Sequence, residues 1–341
     1  MTGDLLLLRG QEIGELFAGK ELELIEIVRA AYILHHRGES LVPNCPFLSF
    51  PHNSAARIIA KPAYLGGSVP VAGIKWVASF PENLKHGQDR ASAVMVLNSV
   101  QTGFATAILE GSLISAWRTA ASAALAAHTF LAEVPPETIG LIGCGLINFH
   151  TLRFLLALWP QVRRVLTFDL DPQRSASFVS QSQSLTRELI WQTVPTAQHL
   201  LAQADVTSLA TTATIPHLAT WVASGPDAVV LHISLRDFTP SAVLQADNVV
   251  DDVEHVCSNK TSVHLTSEAE ENRRFLRTTL GAILDGEAHA RVPGKPVLFS
   301  PFGLGILDLA LAQAALDLAK QRDRGTVIEN FLPPSWIGDT A

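Results

Sequence analysis

The chain has 341 residues, of which 48% are hydrophobic and 17% charged, and its formal net charge is −7. This length and apolar content predict a globular protein of about two domains and argue against a disordered chain. A negative balance without a long basic run argues against nucleic acid as a partner.

The first third of the chain is typical of antiparallel strands with two helices. Apolar residues recur at helical spacing and predict an amphipathic helix over Glu21–His36. Apolar runs bounded by turn residues predict the strands Leu5–Leu8, Arg57–Ala60, Val71–Phe80, Ser92–Leu97 and Gly103–Leu109. A long, alanine-rich helix is predicted next, over Ser112–Leu131.

Strands and helices alternate in the rest of the chain, which is typical of a parallel, doubly wound sheet. The predicted strands are Thr138–Ile142, Arg164–Phe168, Ile190–Val194, Val206–Ala210 and Val229–Ser234. The predicted helices are Asn148–Leu158, Pro172–Ser184 and Leu307–Lys320. We therefore predict an α/β protein with an antiparallel front half and a dinucleotide-type fold behind it.

A glycine turn stands between the first strand and helix of that second part, in the sequence TIGLIGCGLINFH. Gly143 permits a tight turn, and Gly145 lets the backbone approach a pyrophosphate. The start of the helix that follows supplies amide donors and a positive dipole end, and Leu146 and Ile147 stand directly before it. The third glycine of the usual fingerprint is replaced by Asn148. A bare structural turn is the alternative.

The next predicted strand ends at Asp169, where an acidic residue accepts hydrogen bonds from an adenosine ribose and repels a 2′-phosphate. We therefore predict NAD rather than NADP as the cofactor. Arg174 is the nearby residue that could accommodate the additional phosphate. The hydroxyls of the segment SLATTAT, Ser208–Thr214, either line the cofactor or cap a helix.

Four isolated cations interrupt apolar sequence ahead of the glycine turn: Arg57, Lys75, Arg90 and Arg118. A buried cation is costly without an anion, so each one lies on a wet face, forms a structural ion pair or meets a substrate anion. Together they predict a site for carboxylates, which arginine binds in bidentate geometry.

Three cysteines, at positions 45, 144 and 257, are far apart and form no metal-ligand spacing. We predict a cytoplasmic protein without a metal site. The leucine run Leu5–Leu8 is too short for a signal peptide or a membrane span, and His128 interrupts the apolar stretch Thr119–Leu131. No membrane association is therefore expected.

Five segments carry a family resemblance: GIKW, RASAVMVLN, TGFATAILEGSLISAWRTAASAALAA, IGCGLI and VVDD. They resemble the ornithine cyclodeaminase/mu-crystallin family over nearly the whole chain. The resemblance implies a substrate-binding and dimerisation domain from residues 1–120 plus 310–341, an NAD-binding Rossmann domain from residues 121–309, and a homodimer. The fold class is thus a Rossmann-type doubly wound parallel sheet plus an α+β domain. The predicted cofactor contacts are Arg118, Thr119, Gly143, Gly145, Leu146, Ile147, Asp169, Thr211 and Ser234.

Within the family, EGSLIS, IGCGLI and SPFGLGILDLA look most like the branch that forms L-2,3-diaminopropionate for siderophores of the staphyloferrin B type. That branch oxidises N-(2-amino-2-carboxyethyl)-L-glutamate with NAD and hydrolyses the imine to 2,3-diaminopropionate and 2-oxoglutarate. This conjugate carries three carboxylates and ornithine one, so four cations suit the conjugate better. Arg90 is the discriminating residue, because the resemblance places no arginine there in cyclodeaminases. A surface pairing of Arg90 with Asp89 or Glu82 is its alternative.

The resemblance implies Asp237 as the catalytic residue that moves protons during imine hydrolysis. Lys75 is its predicted catalytic companion, meeting a substrate anion or polarising the C–N centre. The segment Leu235–Thr239 departs from the glycine-rich sequence of cyclodeaminases, which argues against ornithine chemistry. Capping of a turn before Pro240 is the alternative role of Asp237. His232 is expected to be a packing residue.

Three other activities compete with this prediction. The first is an ornithine or lysine cyclodeaminase, which regenerates its cofactor. The second is an amino-acid dehydrogenase or imine reductase. The third, from another class, is a mu-crystallin-like ligand-binding protein, against which the presence of both Lys75 and Asp237 counts. The predicted partners are a small amino-acid conjugate and a second copy of the chain.

Overall fold

The computed structural model describes residues 3–131, 134–185, 188–220 and 224–333, without the side chain of Ser54. The chain divides into two compact units. Unit 1 contains Met1–Lys20, Gly38–Ser115 and Gly305–Ala341, and unit 2 contains Glu21–Arg37 and Ala116–Leu304. The end of the predicted segment 310–341, residues 334–341, lies outside the described residues.

The elements are as follows, in chain order. The strands are β1 Leu5–Leu8, β2 Ser40–Leu41, β3 Phe47–Phe50, β4 Asn53–Leu65, β5 Val71–Ser79, β6 Ala91–Asn98, β7 Ala105–Glu110, β8 Thr138–Ile142, β9 Arg164–Phe168, β10 Ile190–Thr193, β11 Val206–Leu209, β12 Val229–His232, β13 Asp247–Val250, β14 Leu276–Thr279, β15 Val297–Ser300 and β16 Thr326–Ile328. The helices are α1 Gly10–Phe17, α2 Glu21–His36, α3 Ser112–Phe130, α4 Leu146–Leu158, α5 Pro172–Ser182, α6 Ala197–Leu201, α7 Pro240–Val243, α8 Val253–Val256, α9 Ser262–Glu270, α10 Leu280–Leu284 and α11 Gly305–Gln321. A short 3₁₀ helix spans Pro81–His86.

Unit 1 is built on a mixed sheet in the order β16-β1-β7-β6-β5-β4-β2, with β3 paired to β4. Helix α11 packs on β4, β5 and β6. Gly73 makes this close approach possible, because a Cβ there would lie 3.1 Å from Leu309 and 2.3 Å from the carbonyl oxygen of Val96. Met95 and Leu109, which are cross-strand partners on the same face, are fully buried. This face supplies the core of unit 1.

The opposite face of the same sheet is apolar and accessible. Trp76 and Val94 are cross-strand partners and remain 41% and 37% exposed. Ile74, Val96 and Ile108 form the neighbouring row and are half-buried. A sheet face of this composition is one that oligomers commonly cover.

Unit 2 is built on eight strands in the order β10-β9-β8-β11-β12-β15-β13-β14. Every pairing between neighbours in this sheet is parallel. Strands β8, β11, β12 and β15 are buried along their whole length, as sheets covered on both faces require. The predicted Rossmann-type fold class is confirmed.

Helix α2 belongs to unit 2, although its residues fall within the predicted segment 1–120. It packs on α10 and α4. Gly281 of α10 lies so close to it that a Cβ would come within 2.9 Å of the Tyr32 carbonyl oxygen. Helical periodicity reveals a buried face but not the element that covers it, so this assignment could not be read from the sequence.

Among the described residues, no helix combines the length and apolarity that crossing a membrane would need.

Candidate active site

The glycine turn joins β8 to α4 in unit 2. Gly143 has a φ of +88°, and a Cβ there would lie 2.5 Å from the carbonyl oxygen of Ala210, so only glycine fits. Gly145 is the N-cap of α4, and a Cβ built on it meets no heavy atom within 4 Å. The helix therefore begins beside open space. Its first amides, from Leu146 and Ile147, have no carbonyl partner within the helix, as an anion site requires.

Asn148 explains why the third glycine of the fingerprint is absent. Its side chain is fully buried, and Nδ2 donates to the carbonyl oxygens of Ile142 at 2.9 Å and Gly143 at 2.7 Å. Its Oδ1 accepts from Ser208 Oγ at 2.7 Å. One amide thus ties together β8, the glycine turn and β11. In the sequence, Asn148 stands out only as the replacement of a glycine; the signal for its structural role is that it is a polar residue in the first turn of an apolar helix.

Asp169 follows β9 directly and supports the same turn. One carboxylate oxygen accepts from the Cys144 amide at 2.8 Å and the other from the Asp171 amide at 3.0 Å. A carboxylate has about four acceptor sites, so these bonds leave capacity for ribose hydroxyls. Arg174 is exposed on α5.

The side chain of Cys144 lies inside the glycine turn. Burial raises the pKa of this thiol to about 11, against an opposing hydrogen bond with Ser175 Oγ at 3.6 Å. The thiol is therefore neutral and places no negative charge beside a pyrophosphate. The residues of the turn, the helix start and Asp169 together fit a dinucleotide such as NAD.

Asp237 lies in the loop after β12 and is fully buried. Thr211 Oγ1 and Ser234 Oγ each donate to its carboxylate at 2.5 Å, and His232 Nε2 lies 3.1 Å from it. Burial alone raises the pKa of this carboxyl, but the hydrogen bonds from His232, Ser234 and Thr211 outweigh burial and hold the pKa at about 2. Asp237 is therefore an anion at neutral pH. Thr211 and Ser234, predicted as cofactor contacts, are partners of this carboxylate.

His232 was expected to be a packing residue, but it lies directly beside Asp237. Its ring is fully buried and its Nδ1 lies 3.2 Å from Ser300 Oγ. Phe238 packs edge-on against it with ring centroids 5.0 Å apart. The imidazole thus connects β12, β15 and the loop that carries Asp237. The available sequence signal for this role was the position of His232 at the end of an apolar strand, five residues before Asp237.

The loop that carries Asp237 contains a left-handed residue that is not glycine. Leu235 has a φ of +68°, a conformation that costs a side-chain-bearing residue about 1–2 kcal/mol. Its side chain is buried in a cluster with Val250, Val256 and Val263, and its carbonyl accepts from the Ser262 amide at 2.7 Å. Burial offsets the strain. A leucine can therefore stand in a stretch where the resemblance expects glycine-rich sequence.

Lys75 lies on β5 in unit 1 and is 2% exposed. Its Nζ donates to Asp308 Oδ1 and to Ser115 Oγ, each at 2.8 Å. Asp308 lies in the first turn of α11 and is fully buried. The anion that Lys75 meets in this structure is thus a side chain of the chain itself. Neither Asp308 nor Ser115 was predicted from the sequence. The available signal for Asp308 was an isolated acidic residue in an otherwise apolar part of a helix.

Arg57 and Arg90 lie at one end of the same sheet. Arg57 is exposed on β4 opposite Ser79, which shares its face with Lys75 four residues along β5. Arg90 is half-buried and directly precedes β6, whose first residue is the cross-strand partner of Ser79. The strand rise places Ser79 about 13 Å from Lys75. Glu82, one alternative partner for Arg90, accepts from Lys85.

Arg118 lies in unit 2, on α3, and is 8% exposed. Its guanidinium packs on Gly303, where a Cβ would come within 2.6 Å of Nη1. Asp251 accepts from the amides of Phe302 and Gly303 at 2.8 and 2.7 Å and so fixes that loop. Asp251 thus has a structural role here, as an acceptor for two amides of the loop that Arg118 contacts. Thr119 is half-buried next to Arg118.

The parallel sheet, the glycine turn and the acid after β9 define a dinucleotide-binding α/β protein. A family model described as the ornithine cyclodeaminase/mu-crystallin family matches residues 6–323. The chain belongs to that family.

Three relatives illustrate the likeness. N-((2S)-2-amino-2-carboxyethyl)-L-glutamate dehydrogenase of Staphylococcus aureus is 29% identical over 97% of this chain and 100% of its own. The structure of Thermococcus litoralis Δ¹-pyrroline-2-carboxylate reductase with NADH and L-proline is 25% identical, with a TM-score of 0.86 over 94% of this chain and 99% of that one. An archaeal alanine dehydrogenase dimer with bound NAD shares the fold at 24% identity, with a TM-score of 0.84 over 96% and 100% of the two chains.

Proposed function

We propose that the protein oxidises N-(2-amino-2-carboxyethyl)-L-glutamate with NAD and hydrolyses the product to L-2,3-diaminopropionate and 2-oxoglutarate. The class of the reaction follows from the relatives: the chain is an NAD-dependent oxidoreductase acting on a carbon–nitrogen bond. The particular substrate is our proposal. The observation that carries it is a set of three cations along one sheet and at its end: Lys75 on β5, Arg57 on β4, and Arg90 directly before β6.

The spacing of these cations suits a substrate with several carboxylates. Lys75 and the end of the sheet that bears Arg57 and Arg90 are about 13 Å apart along the strand, and an arginine side chain shortens that gap by several ångströms. A compact amino acid with one carboxylate uses only one such group. A glutamate conjugate offers carboxylates at both ends and so has a use for separate cations. The Staphylococcus aureus relative supports the same substrate.

The glycine turn, the start of α4 and Asp169 would hold the dinucleotide. NAD, when bound, supplies the acceptor for the hydride that leaves the glutamate α-carbon. Loss of that hydride and of the nitrogen proton converts the C–N single bond to C=N. Water then adds to the carbon, the C–N bond breaks, and the amine leaves with a proton while 2-oxoglutarate keeps the water oxygen. Per turnover one NADH and one proton appear.

Asp237 is the proposed acceptor of the water proton. Its carboxylate is fully buried, whereas Thr211 and Ser234, which donate to it, are half-buried. The proton therefore reaches Asp237 through one of these hydroxyls. With a pKa of about 2, Asp237 is a weak base and a durable anion, so it also stabilises positive charge on the oxidised nitrogen. Lys75 and Arg118 are the proposed carboxylate partners.

A coupled measurement tests the proposal. The synthetic conjugate and NAD should yield NADH, followed by absorbance at ~340 nm, together with stoichiometric 2-oxoglutarate. Proline and ammonia from ornithine without net NADH would instead support a cyclodeaminase, and turnover of a simple amino or imino acid would support a dehydrogenase or imine reductase. Ligand binding without turnover of any substrate would indicate a mu-crystallin-like role.

We also propose a homodimer that covers the apolar sheet face of unit 1. Trp76 and Val94 are exposed there side by side, and burying such a row contributes about 25 cal/mol per Å² toward offsetting the entropy cost of association. Sedimentation at micromolar concentration should give a dimer, and Trp76→Lys should give a monomer. Leu170→Lys, on a 93% exposed leucine in unit 2, is the matched control. A wild-type monomer would contradict the proposal.

A further inference from the structure

We propose that Asp308 is a positioning residue that keeps Lys75 charged and oriented for the reaction, with Ser115 as its second support. This inference rests on the proposed function, because it gives Lys75 a task that only an ammonium can perform. Nothing in the sequence resemblance assigns a role to Asp308.

The geometry joins three separate elements at one nitrogen. Lys75 comes from β5, Asp308 from α11 and Ser115 from α3, and both bonds to Nζ measure 2.8 Å. Lys75 is 2% exposed and Asp308 fully buried, so water contributes little to solvating either charge. A buried pair of this kind fixes a side chain far more closely than a surface pair does.

The surroundings of Lys75 would otherwise favour a neutral amine. Burial disfavours an ammonium, and Lys61 of β4 is its direct cross-strand partner on the same face. Arg57 lies further along that face, β6 offers only Met95 opposite Lys75, and α3 offers the uncharged Ser115. Asp308 is the carboxylate that α11 brings to Nζ. Its negative charge therefore favours the ammonium form of Lys75.

The fold makes the position of Asp308 precise. Asp308 stands in the first turn of α11, where the positive end of the helix dipole stabilises a carboxylate. Gly305, which begins this helix, packs so closely on β4 that a Cβ would lie 3.2 Å from that of Ala63. One turn further along α11, Leu309 packs equally closely on Gly73 of β5, where a Cβ would lie 3.1 Å from its side chain. The helix start is thus held against the strands that carry Lys75.

The charged form matters for the chemistry. An ammonium binds a substrate carboxylate and can donate a proton to the amine as the C–N bond breaks, while a neutral lysine does neither. Removing the negative charge of Asp308 should therefore impair catalysis even where the carbonyl oxygen of an asparagine still accepts from Nζ.

The first test compares Asp308→Asn with Asp317→Asn. Asp317 lies on the same helix, is half-buried and accepts from Gln313 at 2.8 Å, so its variant is a matched control. With the conjugate at saturating NAD, Asp308→Asn should lower kcat/KM by about 100-fold, the low end for loss of a positioned proton donor. The alkaline limb of the kcat/KM profile should move to lower pH by at least about one unit, since an ammonium without its counterion loses its proton more readily. NAD affinity should stay within about twofold.

Asp308→Glu tests whether charge is the property that counts. It should restore the alkaline limb to near the wild-type pH, even if the longer side chain leaves kcat low. An unchanged pH profile in Asp308→Asn, or a profile that Asp308→Glu does not restore, overturns the inference.

A stability measurement separates this inference from the proposed function. Lys75→Met and Asp308→Leu each remove one partner of the buried ion pair and should lower Tm by about 5 °C or more, while the double variant should recover most of that loss. If wild-type protein makes no NADH from the conjugate, the proposed function fails while this coupling can still appear. Additive Tm losses in the double variant would show that the pair does not hold Lys75, whatever the substrate.

Discussion

Restoring the glycine that the dinucleotide fingerprint lacks should weaken this protein rather than improve it. The change is Asn148→Gly in the first turn of α4. In the wild type, the Asn148 amide is buried and serves the Gly143 carbonyl oxygen and the Ser208 hydroxyl, while the Ile142 carbonyl also accepts from the Ala210 amide. Substitution of Asn148 therefore leaves two buried groups, the Gly143 carbonyl and the Ser208 hydroxyl, without the hydrogen bond that Asn148 makes to each.

The expected loss follows from these bonds. A buried polar group left without its partner costs about 1–3 kcal/mol, so the two together cost about 2–6 kcal/mol. Glycine in a helix adds about 1 kcal/mol relative to alanine. Asn148→Ala should thus lower the free energy of unfolding by about 2–6 kcal/mol and Asn148→Gly by about 1 kcal/mol more.

Urea unfolding of both variants measures these losses, and titration with NAD measures the effect on the turn. Ser208→Ala in the Asn148→Ala background is the control: removing the orphaned hydroxyl should regain about 1 kcal/mol. If Asn148→Gly unfolds at the wild-type urea concentration, the amide is not what holds the turn and our explanation of the missing glycine is wrong.

Three other outcomes are expected. Asp169→Ala should weaken NAD binding and reduce the preference for NAD over NADP, since the carboxylate both supports the turn and repels a 2′-phosphate. Tighter binding of NADP than of NAD by the wild type would contradict this and would indicate that Arg174 binds the additional phosphate. Arg90→Ala should raise the KM for the glutamate conjugate and weaken its binding by about 2 kcal/mol, with little effect on ornithine. This is the low end for a charge pair, because Arg90 is half-buried. Unchanged kinetics with the conjugate would contradict the proposal that Arg90 binds one of its carboxylates. Burial, with a smaller effect of Arg153, lowers the pKa of His150 from 6.5 to about 4, so below pH 6.5 the unfolded chain takes up a proton that the folded protein refuses. Stability should then fall by about 2 kcal/mol between pH 7.5 and pH 5, and His150→Phe should remove that part of the slope in urea unfolding.

The parts of the fold that the sequence revealed are those with strong local patterns. Strands β8 and β9 and helix α2 have the predicted boundaries, because each is an apolar run or a helical stripe between clear turn residues. Strands β14 and β15 were not predicted. They are only four residues long, and β14 reads LRTT, so their place in the sheet depends on neighbours that are distant in sequence.

The candidate site was predictable where a motif is local and not where two distant residues meet. Gly143, Gly145 and Asp169 stand in one strand–turn–helix–strand unit, and the structure brings them together as expected. Asp308 lies 233 positions from Lys75, and no spacing rule connects them. The sequence shows that Lys75 is a cation that needs an anion, but it does not show which anion Lys75 meets.

The neutral thiol in the glycine turn has a practical consequence for handling the protein. With a pKa of about 11, only about one Cys144 in ten thousand is a thiolate at pH 7, and the thiolate is the form that alkylating agents and peroxide attack. Iodoacetamide should therefore modify the partly exposed Cys45 well before Cys144. The dinucleotide-binding loop should keep its shape under oxidative stress that would disable an enzyme with a reactive cysteine at the same place.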